Sequence, residues 1–405
     1  MDLVSPHAFW RLKHGFIRNQ PTLATDHACE VLVVGGGISG AMIAYEISKR
    51  GHQTTLIERY DIGAGSTSAS TALIQYETDM DLVDLSKRIG VESAQRAYHA
   101  TTQALDDIRQ MAREVSHGDL RERKSYYLAS KASDVSLLES EREARSAMGL
   151  QVELIRQDEI GRRFSFTRPA ALISDSLELD PYRLTHELIA AAQTRGLKIF
   201  DRTGLVSFEN YEGGSLVRTE RGPGIRCKHL VFAVGYEAAR YLPEKLFELN
   251  SSFALISKPL SSFEGYFEKA LLWETARPYL YVRSTSDGRV IIGGLDEPFL
   301  DPEKRDALVP AKALVLEKKF RELFPRIDFQ PAYAWGGTFG ETRDSLPYIG
   351  SLPRFGNLHF CCGFGGNGTT FSAIAARMIS RAVEGATCEL RELFGFDRAQ
   401  DLVAR

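Results

Sequence analysis

Glycines at 35, 37 and 40, followed by a glutamate at 58, are the residues of this chain best suited to chemistry. Their G-x-G-x-x-G spacing fits a diphosphate. Gly35 permits a tight turn, Gly37 lets the backbone touch a pyrophosphate, and Gly40 lets a helix lie close to a sheet. Free N–H groups at Ile38 and Ser39, with the positive end of the helix dipole, then hold the phosphate charge. Glu58 stands where a carboxylate takes both ribose hydroxyls of an adenosine, with Arg59 beside it. A 2′-phosphate there would meet like charge, so FAD or NAD is favoured over NADP.

A glycine turn by itself is compatible with a packing role only, so the surrounding elements decide. The apolar run 31–34 predicts a buried parallel strand, 41–50 a helix closed by Gly51, and 54–57 a second strand. Strand, turn, helix, strand and terminal acid in that order mark a dinucleotide site. The small, hydroxyl-rich run 63–72 follows, with Gly65, Ser66, Thr67 and Ser68 leading to Leu73. It reads either as backbone that a flat ligand can approach or as a flexible linker.

With 405 residues the chain has room for two domains, and its net charge of −3 gives no case for nucleic acid or an anionic membrane. Five cysteines, odd in number and without C-x-x-C spacing, suit a reducing cytoplasm better than a disulfide framework. Cys361 and Cys362 are expected to fill a core strand. Nine scattered histidines lack metal-ligand spacing, so no metal is expected. The first twenty residues, with Trp10 and Phe16, do not read as a signal peptide, and no run approaches the ~18 apolar residues of a membrane span.

Further along, helices are expected over 81–115 (broken near Gly90), 135–148, 182–194, 304–324 and 370–383. Strands are expected over 126–129, 171–173, 197–201, 230–235 and 358–362, and a hairpin joins 279–283 to 290–294 through Asp287 and Gly288. The order predicts an α/β fold whose Rossmann-like nucleotide domain is discontinuous, made of residues 1–85, 155–240 and 335–405. An antiparallel sheet with helices, from 86–154 and 241–334, forms a second domain, with the site at the interface.

Four stretches together resemble the FAD-dependent D-amino-acid oxidase-like family. They are 33–40 with Glu58 and Arg59, the strand and glycine at 231–235, the hairpin 281–294, and the C-terminal set Trp335, 344–350 and 363–368. The resemblance implies a nucleotide domain of the glutathione-reductase type holding noncovalent FAD, with the flavin between the two domains. Gly235, Gly363, Gly365, Gly366, Asn367, Gly368 and Thr369 would belong to the cofactor site, the loop 365–369 facing the flavin pyrimidine. The reaction implied is hydride transfer from a carbon bearing an amine to flavin N5, giving an imine that hydrolyses. Oxygen or a carrier would take the electrons.

The substrate side departs from the family. Phe339 stands where the glycine- and D-amino-acid-oxidase branch has a carboxylate-binding arginine, and Thr370 where the sarcosine-oxidase branch has a basic residue. Gly337 stands where sarcosine oxidases tether flavin through cysteine. Arg283 or Arg343 is the candidate replacement for the missing cation, each also readable as a structural ion pair. Tyr281, alternating with Arg283, lines the substrate side or packs in the core. The competing readings are an NAD-linked dehydrogenase and a flavin-binding protein without turnover.

Overall fold

The strand His27–Val34 lies at the centre of a mostly parallel sheet, between Thr54–Ile57 on one side and Gly224–Phe232 on the other. The chain leaves the central strand for one neighbour and returns later to the other. This reversal opens a crevice at the strands' carboxyl ends, where α/β sheets bind ligands. Lys198–Phe200 extends the sheet at one edge, Phe355–Cys362 and the antiparallel Tyr348–Leu352 at the other. The computed structural model describes residues 2–242, 246–352 and 355–399.

These strands are apolar because both faces are covered. Val31, Leu32 and Val33 have no solvent exposure, and Cys361 and Cys362 are buried in the strand that the sequence assigned to them. The helices Ile38–Lys49 and Gly368–Val383 pack against each other through small residues. Ser39 and Ser372 meet there, their hydroxyl oxygens 2.7 Å apart.

The second sheet runs, in spatial order, through Pro331–Glu341, Glu248–Ser257, Val290–Glu297, Tyr281–Ser284, Leu271–Glu274, Arg121–Leu128, Ala170–Glu178 and Leu73–Gln75. Leu73–Gln75, Ala170–Glu178 and Pro331–Glu341 therefore pair here, although their positions in the sequence had set all or most of each with the nucleotide domain. A strand's partner is fixed by tertiary hydrogen bonding, and periodicity alone cannot assign it to one of two sheets.

The helices expected around Gly90 are Leu82–Ile89 and Val91–Glu114, and that expected over 182–194 is Pro181–Gln193, capped by the Asp180 carboxylate accepting from the Arg183 N–H. Sequence periodicity missed the strands Leu205–Tyr211 and Gly214–Thr219 and the helix Phe9–His14. That helix buries Phe9 and Trp10, and the Trp10 indole N–H donates to the Ser70 carbonyl at 2.7 Å.

Arg283 locks the segments that cross between the sheets. Its Nη1 donates to the carbonyls of Ala72 and Leu179 at 2.7 and 3.0 Å, and its Nε donates to Ser284 at 2.7 Å. The side chain is fully buried beneath Trp10, 5.7 Å from the ring centroid. It does not reach the cavity described below, which corrects its candidacy as a substrate ligand. Replacing Arg283 by methionine orphans three carbonyls, and the expected loss is about 3 kcal/mol of stability. A urea midpoint unchanged from the parent protein would contradict this structural role.

Candidate active site

A continuous cavity of about 700 Å³ runs from the glycine turn at the parallel sheet to the face of the second sheet. That volume falls inside the roughly 300–1,000 Å³ range of ligand pockets. At its first end three backbones converge. Gly35 has φ +110°, and a Cβ there would stand 2.3 Å from the Ala233 carbonyl oxygen. A Cβ on Gly40 would stand 1.9 Å from the carbonyl oxygen of Gly35, so only glycine allows the helix to begin so near the strand. Gly40 thus packs behind the turn without lining the cavity, and Gly363 likewise packs, against Thr342.

Gly37, Ile38 and Ser39 line the cavity, but one expected donor, the Ile38 N–H, is already engaged. The Ile38 N–H donates to Thr67 Oγ1 at 2.9 Å, and the Ser39 hydroxyl is turned to Ser372. Glu58 accepts the Gly36 N–H at 2.7 Å through one oxygen and the Tyr60 N–H at 2.8 Å through the other. A carboxylate has about four acceptor sites, so the carboxylate retains lone pairs for a further donor. Burial holds its pKa above the usual range. Arg59 pairs with Glu237 at 2.5 Å across the second strand–turn unit, beside Gly235. Its Nε is buried with no partner.

The run after Glu58 forms the cavity wall. Ser66–Ala69 is one helical turn, Ser68 donates its hydroxyl back to Gly65 at 2.9 Å, and Gly65, Ser66, Thr67, Ser68 and Leu73 all line the space. The linker reading is thereby replaced by an ordered wall. Opposite stand Gly365, Gly366, Asn367, Gly368 and Thr369, at the start of the helix Gly368–Val383. The Gly366 N–H donates to Asp79 Oδ2 at 2.8 Å. Thr370 faces away, its hydroxyl donating to the Gln75 carbonyl at 3.0 Å.

The second sheet supplies the far wall through one row of register partners. Tyr127, Trp273, Tyr281, Gly293, Ala254 and Trp335 lie side by side on successive strands. The Tyr281 ring lies over Gly293, its hydroxyl 2.3 Å from where a Cβ would stand, so only glycine fits beneath it, and Ala254 lines the cavity beside it. Tyr281 and Phe339 both line the cavity, and Arg343 is exposed outside it. Sequence reasoning missed Trp273, Tyr279, Ser252 and Asp296, which also line it. Tyr279 shares the strand alternation of Tyr281 and was detectable; Asp296 lies beyond the hairpin residues that carried the resemblance. It also missed the segment Leu3–Ser5, which roofs the cavity by pairing with 336–338.

The groups present fit FAD. Glycine backbone that a Cβ would obstruct stands at one end of the cavity, with an unpartnered buried Arg59 Nε and free Glu58 lone pairs, and the cavity runs on along the Thr67 wall to the second sheet.

The likeness to known proteins agrees. A family model described as FAD dependent oxidoreductase matches residues 30–382. The glycine oxidase of Bacillus subtilis (strain 168) is 25% identical over 358 residues, 87% of this chain and 92% of that protein. The gamma-glutamylputrescine oxidoreductase of Escherichia coli (strain K12) is 23% identical over 385 residues, 90% of this chain and 85% of the other. Among solved structures, L-proline dehydrogenase from P. horikoshii superposes with a TM-score of 0.76 at 20% identity, over 92% of this chain and 99% of that one. FAD is thus the cofactor, which removes the NAD-linked reading. The chain belongs to the FAD dependent oxidoreductase family and is an enzyme of the amine and amino-acid oxidoreductase kind.

Proposed function

We propose that this enzyme oxidises a C–N bond of an amine or amino acid at the second-sheet end of the cavity, with FAD bound noncovalently along its length. The observation that carries the reading is the single cavity joining the glycine turn, the Thr67 wall, the 365–369 loop and the Tyr281 face. The relatives named above carry amine or amino-acid names, in keeping with it.

FAD supplies the hydride acceptor, so that the substrate leaves as an imine and water hydrolyses it. The chain's own residues bind and orient. Gly35 and Gly37 present bare backbone to the pyrophosphate, Glu58 accepts ribose hydroxyls, and the Arg59 Nε offers a donor near the adenosine. Gly65, Ser66 and Ser68 border the ribityl chain, with Thr67 holding the Ile38 N–H in place. The N–H groups at the start of the helix Gly368–Val383 would favour negative charge on a bound flavin ring through the helix dipole. Tyr281, Trp273 and Phe339 hold the reacting carbon against the ring and keep water out. Gly337 in the place of a tethering cysteine leaves the cofactor noncovalent. Oxygen or a carrier takes the electrons, and five free cysteines suit the cytoplasm.

Acid precipitation of the purified protein tests the first part: flavin absorption is expected in the supernatant, whereas bands retained in the pellet would mean a covalent link. A second test alters the turn. A Cβ at Gly37 would sit 3.1 Å from Thr67 Oγ1 and face the pyrophosphate. Gly37→Ala is expected to weaken FAD at least about tenfold, about 1.4 kcal/mol, with the circular dichroism unchanged. Full flavin occupancy in that variant would remove the turn from the cofactor site.

A further inference from the structure

The family's usual carboxylate clamp is missing here, and the charge at the substrate end has the opposite sign. Of the charged residues lining the cavity near the glycine turn, Arg59 pairs with Glu237 and Arg11 with Asp61 at 3.4 Å, while Glu58 accepts backbone N–H groups. Among described residues at the second-sheet end, Asp296 is the charged residue on the cavity wall. Its Oδ1 is buried with no hydrogen-bond partner. Lys312, the nearest cation on a neighbouring helix, is held by Glu297 and by the Leu295 carbonyl at 2.5 and 2.9 Å.

More negative charge stands behind that wall. Asp79 accepts the Tyr279 hydroxyl at 3.3 Å and the Gly366 N–H, tying the aromatic strand to the glycine loop. Glu341 accepts from the Asn250 amide at 2.7 Å on the adjoining strand. Burial raises all three acids, Asp296 to about 6 against a bond from the Ser252 hydroxyl, and Glu341, with repulsion from Asp79 and Asp296, to about 7. Arg277, which lowers all three, donates to backbone carbonyls and sets its guanidinium 5.1 Å from the Tyr279 ring centroid, so the free ring faces of the corner are those of Trp273 and Tyr281. At pH 8 Asp296 is an anion with half its acceptor capacity unmet.

The rings beside it form a corner. Trp273 and Tyr279 lie 6.3 Å apart at 73°, and Tyr279 and Tyr281 lie 5.9 Å apart at 57°. Trp273 is fixed from behind by Tyr127, stacked at 3.8 Å, and by its indole N–H donating to Ser125 at 3.0 Å. Aromatic faces meeting at steep angles attract an organic cation through their quadrupoles, and a carboxylate in the same corner adds to the field. A substrate carboxylate placed there would meet the like charge of Asp296, Asp79 and Glu341, against which stands only the Arg277 guanidinium, already given to backbone carbonyls, so its burial is costly.

We propose that the enzyme's substrate is a cationic amine without a carboxylate on the reacting carbon, its ammonium group received by Asp296 between Trp273, Tyr279 and Tyr281. This rests on the flavin amine oxidoreductase reading and narrows it to a substrate class.

The test uses the FAD-loaded protein at pH 8 with two inert probes of similar length, butyltrimethylammonium and hexanoate, read as perturbation of the flavin spectrum and by calorimetry. The cation is expected to bind at least tenfold more tightly than the anion. Asp296→Asn is expected to weaken the cation at least tenfold while flavin content and thermal midpoint stay at parental values. Hexanoate binding as well as the cation, binding of neither, or a folded Asp296→Asn protein that keeps full cation affinity overturns the proposal. If Asp296→Asn fails to fold, the comparison of the two probes on the parent protein decides alone. A protein that takes up no FAD at all defeats the enzymatic reading first, and this inference falls with it.

Discussion

Everything at the nucleotide end depends on backbones lying closer than side chains permit. The carbonyl of Gly35 occupies the space a Cβ of Gly40 would need, and the carbonyl of Ala233 occupies the space beside Gly35. Two parallel strands and one helix start thus meet at a single point, at the carboxyl edge of the sheet. Because these contacts are between main-chain atoms, no rotamer change could relieve a substituted side chain. Behind the turn, the small residues of the helices Ile38–Lys49 and Gly368–Val383 continue the same close approach. The last helix is thereby carried beside the turn, and its first residues reach the far side of the cavity. One packing constraint places both the glycine turn and the 365–369 loop.

The second sheet solves a different problem, which is to face a flat slot without filling it. Its cross-strand row puts Gly293 and Ala254 between Tyr281 and Trp335, and the Tyr281 ring lies over Gly293 where any Cβ would lift it into the cavity. Trp335 and Trp10 are each anchored by an indole N–H donating to the backbone of the wall helix, at Ala69 and Ser70. Those bonds join the N-terminal helix, the wall and the sheet into one frame. Arg283, one step beyond Tyr281 on the same strand face, closes the frame from below.

The sequence made the nucleotide end readable because main-chain geometry there demands particular residue types. Glycine at positive φ, an uninterrupted apolar strand and an acid at a strand end are local signals, and each was found where expected. The substrate end was less legible. Alternation put Tyr281 and Arg283 on one face, and so it is; yet the cavity stops between them, which only the depth of packing under Trp10 decides. Asp296 gave no signal, since an isolated acid near a strand end is ordinary on any surface. Ala170–Glu178 read as a strand in part, but its sheet is fixed by partners distant in the chain.

In the proposed arrangement two neighbouring walls of the cavity carry opposite fields. The helix start at Gly368 favours negative charge, which suits a flavin that gains electrons. The Asp296 corner favours positive charge, which suits an amine arriving as an ammonium ion. Asp79 separates the two regions: it takes the Gly366 N–H and the Tyr279 hydroxyl, so its charge is partly spent on holding both walls. A substrate with a carboxylate would bring its negative charge to the wrong side of that division. The loss of a clamping arginine at Phe339 is then one part of a reversal in electrostatic sign across the whole substrate chamber, and the rings that replace it do not depend on that sign alone.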